Sequence, residues 1–254
     1  MWWLPTSTME IVPKDAGLFK SAIDGLKDFL PEAQLDFSAE GLGIRGMDAS
    51  HVGYVDYFLS AADCSSWKVP KPCVLGVNLS SFAKVLESVG KGGSVTLSHK
   101  KEKLCISYTS DTKSVAADIH LLDITQESLD IPHIEYPAVI RSRTADIVSA
   151  FKEVGSFGDS LVIRVDDGGF HVSAKGDIGS MRQTLKTSPH NAITLSDDSV
   201  EAMYGTKYVL SILKSGAGLS STTDLGVDPA SPLRATFCFG SSRLMFYLAP
   251  KTNE

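Results

Sequence analysis

Four times along this chain a short amphipathic helix is written ahead of a run of paired strands, and each helix carries lysine away from its apolar side. In the first, from Leu18 to Leu30, Phe19, Ile23, Leu26 and Leu30 recur at helical spacing, while Lys20 and Lys27 stand seven apart on another face. The second starts at Asn78 or Ser80, both suitable N-caps, turns Phe82, Val85, Leu86 and Val89 inward, and leaves Lys84 out. The third opens at Thr144, buries Ile147, Val148, Phe151 and Val154, and offers Lys152. The fourth opens at Thr206, buries Val209, Ile212 and Leu213, and stops at Gly216, a residue suited to a helix C-terminus. Its Lys207 and Lys214 are again seven apart. A unit repeated with one shared outward chemistry predicts a curved assembly around a common object.

Between the helices the pattern is that of strands. Val95-Thr96-Leu97 and Leu104 to Tyr108 flank the charged turn Lys100-Lys101-Glu102-Lys103. Leu161 to Val165, the turn Asp166-Asp167-Gly168-Gly169, and Phe170 to Ala174 make a clearer hairpin. The first half holds a similar passage in Leu35 to Ser38, Ala39-Glu40-Gly41, and Leu42 to Arg45. Setting Gly41 against Gly169 matches Leu35 with Ile163, Phe37 with Val165, Leu42 with Phe170 and Ile44 with Val172, which predicts an internal duplication. The boundary falls in residues 120–138, an acidic stretch without glycine that carries Pro132 and Pro137 and is expected to be extended and stiff. Its Leu129, Ile131 and Ile134 must pack down or form a binding surface. The expected organisation is residues 1–8 as an extension, 9–119 and 139–254 as like domains, and 120–138 as the connector.

Composition narrows the class. With 254 residues, 43% hydrophobic and 21% charged, the chain can bury a full core and is neither disordered nor membrane-embedded in character. No apolar run has the length of a membrane span, and the opening Met1-Trp2-Trp3-Leu4 lacks the basic start of a signal peptide. Cys64, Cys73, Cys105 and Cys238 form no Cys-x-x-Cys pair, predicting reduced, mostly buried thiols and no metal site. The formal net charge of −6 is wrong for a protein that holds nucleic acid by general attraction, unless its lysines are gathered on one surface. There is no Gly-x-Gly-x-x-Gly or phosphate-loop signature. Asp48, Ser50 and His51 could be imagined as hydrolase residues, but no nucleophile-elbow glycine frame surrounds them.

Five short strings carry a resemblance in order along nearly the whole chain from Met9: Leu26-Lys27-Asp28, Met47-Asp48-Ala49-Ser50-His51-Val52, Gly76-Val77-Asn78-Leu79, Leu129-Asp130-Ile131-Pro132, and Phe246-Tyr247-Leu248-Ala249-Pro250-Lys251. Together they resemble the eukaryotic sliding clamp family, proliferating cell nuclear antigen. The resemblance implies an α+β fold of two like clamp domains per subunit. Helices would line the inner face and antiparallel sheets the outside of a homotrimeric ring around duplex DNA. It implies no catalytic reaction and no cofactor. The expected role is that of a processivity factor holding polymerases and other enzymes on DNA, in the nucleus or in a viral replication compartment. A clamp loader is an expected partner. Lysine-to-phosphate contacts read no sequence, which suits a protein that must slide.

By matching position, Lys20, Lys27, Lys84, Lys152, Lys207 and Lys214 would face the DNA. Client peptides with a glutamine, an aliphatic residue and two aromatics would plug a pocket made by Met47, His51, Val52, Leu129, Ile131, Pro132, Pro232, Tyr247, Leu248, Ala249 and Pro250. Subunits would join edge to edge through about residues 110–120 and 176–186, with Ala117, Ile119, Ile178 and Met181 in the contact. The chain departs from the family pattern in places. Ser21, Ser156 and Glu87 stand where basic residues or histidine are usual, Tyr54 replaces a smaller aliphatic residue at the pocket edge, and Ala117 replaces an aromatic. Asp167 occupies the turn where eukaryotic clamps carry a ubiquitin-accepting lysine. The alternative reading is a subunit of a heterotrimeric checkpoint-type clamp; the complete pocket set and the Leu248-to-Lys251 ending favour the replicative form.

Overall fold

The computed structural model describes residues 9–90, 92–125 and 133–252. They fall into two compact units. One holds the described residues of Met1–Gly46, Asp56–Ser128 and Gly240–Arg243; the other holds those of Met47–Val55, Leu129–Phe239 and Leu244–Glu254.

The first run of elements is β1 (Glu10–Pro13), α1 (Ala16–Lys27), β2 (Glu32–Phe37), β3 (Gly41–Met47), β4 (Gly53–Ser60), β5 (Cys64–Lys68), β6 (Cys73–Asn78), α2 (Leu79–Leu86), β7 (Ser94–Lys100), β8 (Lys103–Thr109) and β9 (Ser114–His120). The second is β10 (Ala138–Arg143), α3 (Thr144–Gly155), β11 (Ser160–Asp166), β12 (Gly169–Gly176), β13 (Gly179–Leu185), β14 (Asn191–Leu195), β15 (Ser199–Gly205), α4 (Thr206–Ala217), β16 (Thr222–Val227), β17 (Leu233–Phe239) and β18 (Ser242–Leu248). The two runs match element for element. Strand order matches as well: β5-β1-β7-β8-β9 against β14-β10-β16-β17-β18, and β6-β2-β3-β4 against β15-β11-β12-β13. Five strands follow α1 and α3 and three follow α2 and α4, so the pattern of a helix ahead of paired strands recurs four times in the fold.

The duplication extends to register. Leu35 pairs with Ile44 and Phe37 with Leu42, as Ile163 pairs with Val172 and Val165 with Phe170. All eight side chains are buried, because period-2 alternation puts them on the face under the helices. Each contributes about 1.5–3 kcal/mol by leaving water. Glu32 pairs with Asn78 just before α2, and Ser160 with Gly205 just before α4. The first N–H of α2 donates to Pro31 O and that of α4 to Asp159 O. Helices pack in pairs, α1 with α2 and α3 with α4. Phe19 meets Phe82 edge-on at 5.9 Å between centroids, and Phe151 lies 6.0 Å from Phe170.

Helix ends differ from the sequence expectation where local contacts outrank periodicity. Asp15 caps α1 by accepting from Leu18 N at 2.9 Å, so the helix begins at Ala16 instead of Leu18. It ends at Lys27; Phe29 and Leu30 follow in a turn and are buried there. Asn78 caps α2 through Ser81 N at 2.8 Å. Val85 and Val148 are half-buried, at the margins of their apolar stripes. Gly216 does not end α4, which runs on to Ala217. It is glycine because a Cβ there would sit 2.2 Å from the ring of buried Phe237.

The start of the connector lies flat on the first unit. Leu122 N donates to Gly76 O at 2.8 Å, and Gln34 Nε2 donates to Ile124 O at 2.6 Å. A Cβ on Gly76 would come within 2.3 Å of Leu122 O, so glycine is what lets the strand lie down. All four cysteines are free, but only Cys64 is buried; Cys73 and Cys105 are half-buried and Cys238 is exposed. The expectation of mostly buried thiols is corrected for three of them, since their strand positions alternate toward solvent.

Candidate functional site

Between β3 and β4 the chain turns back through Met47 to Val52, and one carboxylate organises that turn. Asp48 Oδ1 accepts from Val52 N at 2.9 Å and Gly53 N at 2.6 Å, while Oδ2 accepts from Ser50 N at 3.2 Å and from Ser50 Oγ. Burial opposes ionisation of Asp48, yet hydrogen bonds from Ser50, Gly53 and Val52 outweigh it and hold its carboxyl below the usual range. Tyr208 on α4 braces the turn, its hydroxyl meeting Ser50 Oγ and lying 3.5 Å from Asp48 Oδ2. His51 sits at φ 57°, the left-handed conformation the turn requires. Ser50 bonds Asp48 directly and not through His51, so no hydrolase relay is assembled. The turn exposes Met47, which is 37% accessible and one of three large apolar side chains exposed among the described residues.

The C-terminal segment runs beside this turn. Ala249 N donates to Val52 O at 2.9 Å, and Lys251 N to Met203 O at 2.7 Å. Lys251 Nζ donates to Ser160 Oγ at 2.7 Å. Leu248, Ala249, Pro250 and Lys251, with Val52, Asp159 and the first turn of α4, line an open pocket of about 320 Å³. Thr206 is fixed in that wall by donating its hydroxyl to Gly158 O at 2.6 Å. Thus Val52, Leu248, Ala249 and Pro250 of the predicted pocket line one cavity. His51 and Met47 lie on the adjoining turn.

A second cluster holds Pro232 and Tyr247. Tyr136 donates its hydroxyl to Pro232 O at 2.9 Å, and the Arg234 guanidinium stacks 4.6 Å from the Tyr136 ring centroid. Burial pushes the Tyr136 phenol up to about 12 despite the nearby Arg234 charge. Tyr247 lies 6.3 Å from Tyr54, which is buried. Leu129, Ile131 and Pro132 lie outside the described residues. Sequence reasoning gave Tyr208 and Thr206 no place in the site, and quoted Lys251 and Asp48 only within resembling strings, Asp48 also within the rejected hydrolase set. The Asp48-x-Ser50 spacing, a common turn-forming pattern, was the available signal.

The helices carry six lysines against three carboxylates, in a chain whose formal net charge is −6. Those carboxylates are locally matched. Asp24 takes Lys27 at 2.8 Å, Asp146 takes Arg143 at 2.8 Å, and Glu153 accepts from Ser149 at 2.7 Å and from Gln183. Lys84, Lys152, Lys207 and Lys214 are exposed and take no ion pair with a described residue. Lys20 is different: its ammonium reaches Glu87 O at 3.4 Å and Val89 O at 3.5 Å, serving the carboxyl end of α2.

Two sheet edges end in β9 and β13. Ala117 and Met181 are half-buried, and Ile178 is 75% accessible. Ile119 is 8% accessible, with its side chain turned to its own core. It shares a face of β9 with half-buried Ala117 and alternates with exposed Asp118 and His120. Among the described residues no three His, Cys, Asp or Glu side chains gather as a metal site, and no helix is long and apolar enough to cross a membrane.

Two like units of paired helices over antiparallel sheets, with uncompensated lysine on the helices, define an α+β protein of the DNA clamp type. The model for the proliferating cell nuclear antigen N-terminal domain matches residues 8–130, and that for its C-terminal domain matches residues 130–252. The chain is 29% identical over 252 residues to the proliferating cell nuclear antigen of Chaetomium thermophilum, covering 95% of this chain and 97% of that one. Its fold is similar to the crystal structure of the same antigen from Entamoeba histolytica, with a TM-score of 0.89 at 27% identity over 96% of this chain and 99% of the other. The chain belongs to the proliferating cell nuclear antigen family, the non-enzymatic sliding clamps of DNA replication and repair.

Proposed function

We propose that this chain is the subunit of a homotrimeric sliding clamp that encircles duplex DNA through its helices and recruits client enzymes through the surface around Met47, Val52 and Leu248 to Pro250. The observation that carries the reading is the separation of charge. Six lysines against three locally matched carboxylates lie on the helices of an otherwise acidic chain. A closed ring needs no tight grip on DNA, so modest positive charge on the helices suffices. The unpaired edges β9 and β13 fit head-to-tail joining of one copy to the next, which removes both edges. Ala117 and Met181 would sit at that joint and Ile178 beside it. The client surface extends to His51, Pro232 and Tyr247, and to Leu129, Ile131 and Pro132 of the connector. The domains are residues 9–119 and 139–254, joined through 120–138.

Lys84, Lys152 and Lys214 test the DNA-facing surface best, because none has another partner among the described residues. Changing all three to Glu is expected to abolish most polymerase stimulation on primed circular DNA while leaving client-peptide binding intact. Stimulation equal to the unmodified protein would refute the inner-face reading. Leu129→Ala with Ile131→Ala is expected to weaken peptide binding without unfolding the chain, and unaltered affinity by calorimetry would refute the pocket.

A further inference from the structure

Lys207 stands apart from the other helix lysines, because it lines the 320 Å³ cavity with Val52, Leu248, Ala249 and Pro250. The rest of the wall is mainly apolar, and the volume suits one side chain of a bound peptide. Charge on the wall comes from Lys207, Lys251 and Asp159. Lys207 takes no ion pair with a described residue, so its charge is available to a ligand. The neighbouring Asp48 carboxylate is already occupied by Ser50, Val52 and Gly53. The amino end of α4 adds to the positive side, since Gly205 gives that helix no side-chain cap.

We infer that this cavity selects an acidic side chain from the client peptide, with Lys207 as the specificity-determining residue. The inference rests on the client-surface reading above and names the chemistry that surface prefers. Glutamate has the shape of glutamine but adds a charge, so it forms an ion pair with the Lys207 ammonium where glutamine offers only a neutral acceptor. Asp159 and solvent limit the gain, because an exposed ion pair is weak.

Two synthetic peptides test the inference, both carrying an aliphatic residue and two aromatics and differing only by glutamine or glutamate at the polar position. Calorimetry against the full chain is expected to show the glutamate peptide binding about three- to tenfold tighter at low salt. The advantage should vanish in Lys207→Ala, reverse in Lys207→Glu, and shrink as salt is raised. Equal binding of the two peptides, or a glutamate advantage that survives Lys207→Ala, would overturn the inference and leave the client surface standing. Binding of neither peptide would overturn both.

Discussion

Replacing Asp48 by Asn isolates what one carboxylate does for the turn at the proposed client surface. The amide oxygen can still accept from Val52 N and Gly53 N, which lie 2.9 and 2.6 Å from Asp48 Oδ1. The amide nitrogen then faces Ser50 N, now 3.2 Å from Oδ2, so a donor opposes a donor. Leaving a part-buried N–H unmatched costs about 1–3 kcal/mol. The turn relieves that cost by opening, which shifts Val52 and the backbone bond from Ala249 N to Val52 O. If about 1.4 kcal/mol of the cost falls on the peptide-ready geometry, the dissociation constant rises about tenfold. The melting temperature should fall by about 2–4 °C for each kcal/mol, as expected for a chain of this size. Isothermal calorimetry with a client peptide reads the first effect and a thermal melt the second. A variant that stays folded and binds within twofold of the unmodified protein would refute the claim that Asp48 positions this turn.

Gly216→Ala should destabilise, although alanine is the better helix former by about 1 kcal/mol. The added methyl meets the buried Phe237 ring at 2.2 Å, and overpacking of that kind costs about 1–3 kcal/mol or more, so urea unfolding should shift to lower midpoint. A rise in midpoint would contradict the packing. Gly76→Ala should lift the connector off β6, because Leu122 O stands 2.3 Å from the new Cβ; hydrogen exchange at Leu122 N should accelerate. Unchanged protection there would count against the stapled connector. Arg164 first, and then His171, hold the Asp166 carboxyl far below its ordinary value of 3.8. Its stabilisation is therefore present above that ordinary value and is lost only as pH falls through the lower folded one. Asp166→Asn should flatten the stability profile in acid below about pH 4, and an unaltered profile would refute the assignment.

The sequence carried most of the fold because its signals were periodic and repeated. Phe19, Ile23 and Leu26 could be placed inward from spacing alone, and the match of Leu35 with Ile163 anticipated a shared register. What failed was local and three-dimensional. Gly216 resembled a helix stop because nothing in the chain says that Phe237 will lie against it. Ile119 was read from its strand alone, which does not reveal that its side chain is buried against its own core. The site was legible only through the two six-residue strings, Met47 to Val52 and Phe246 to Lys251. Tyr208 and Thr206 were hidden because their roles depend on contacts with Ser50 and with Gly158, far away along the chain. Lys207 was read with its helix neighbours, since spacing gives a face but not the cavity beside it.

Topological capture of DNA is the most direct test of the central claim. The protein, placed on nicked circular DNA by a clamp loader, should remain bound through gel filtration and be released when the circle is cut once. Retention after the cut, or loss from the intact circle, would contradict a sliding ring.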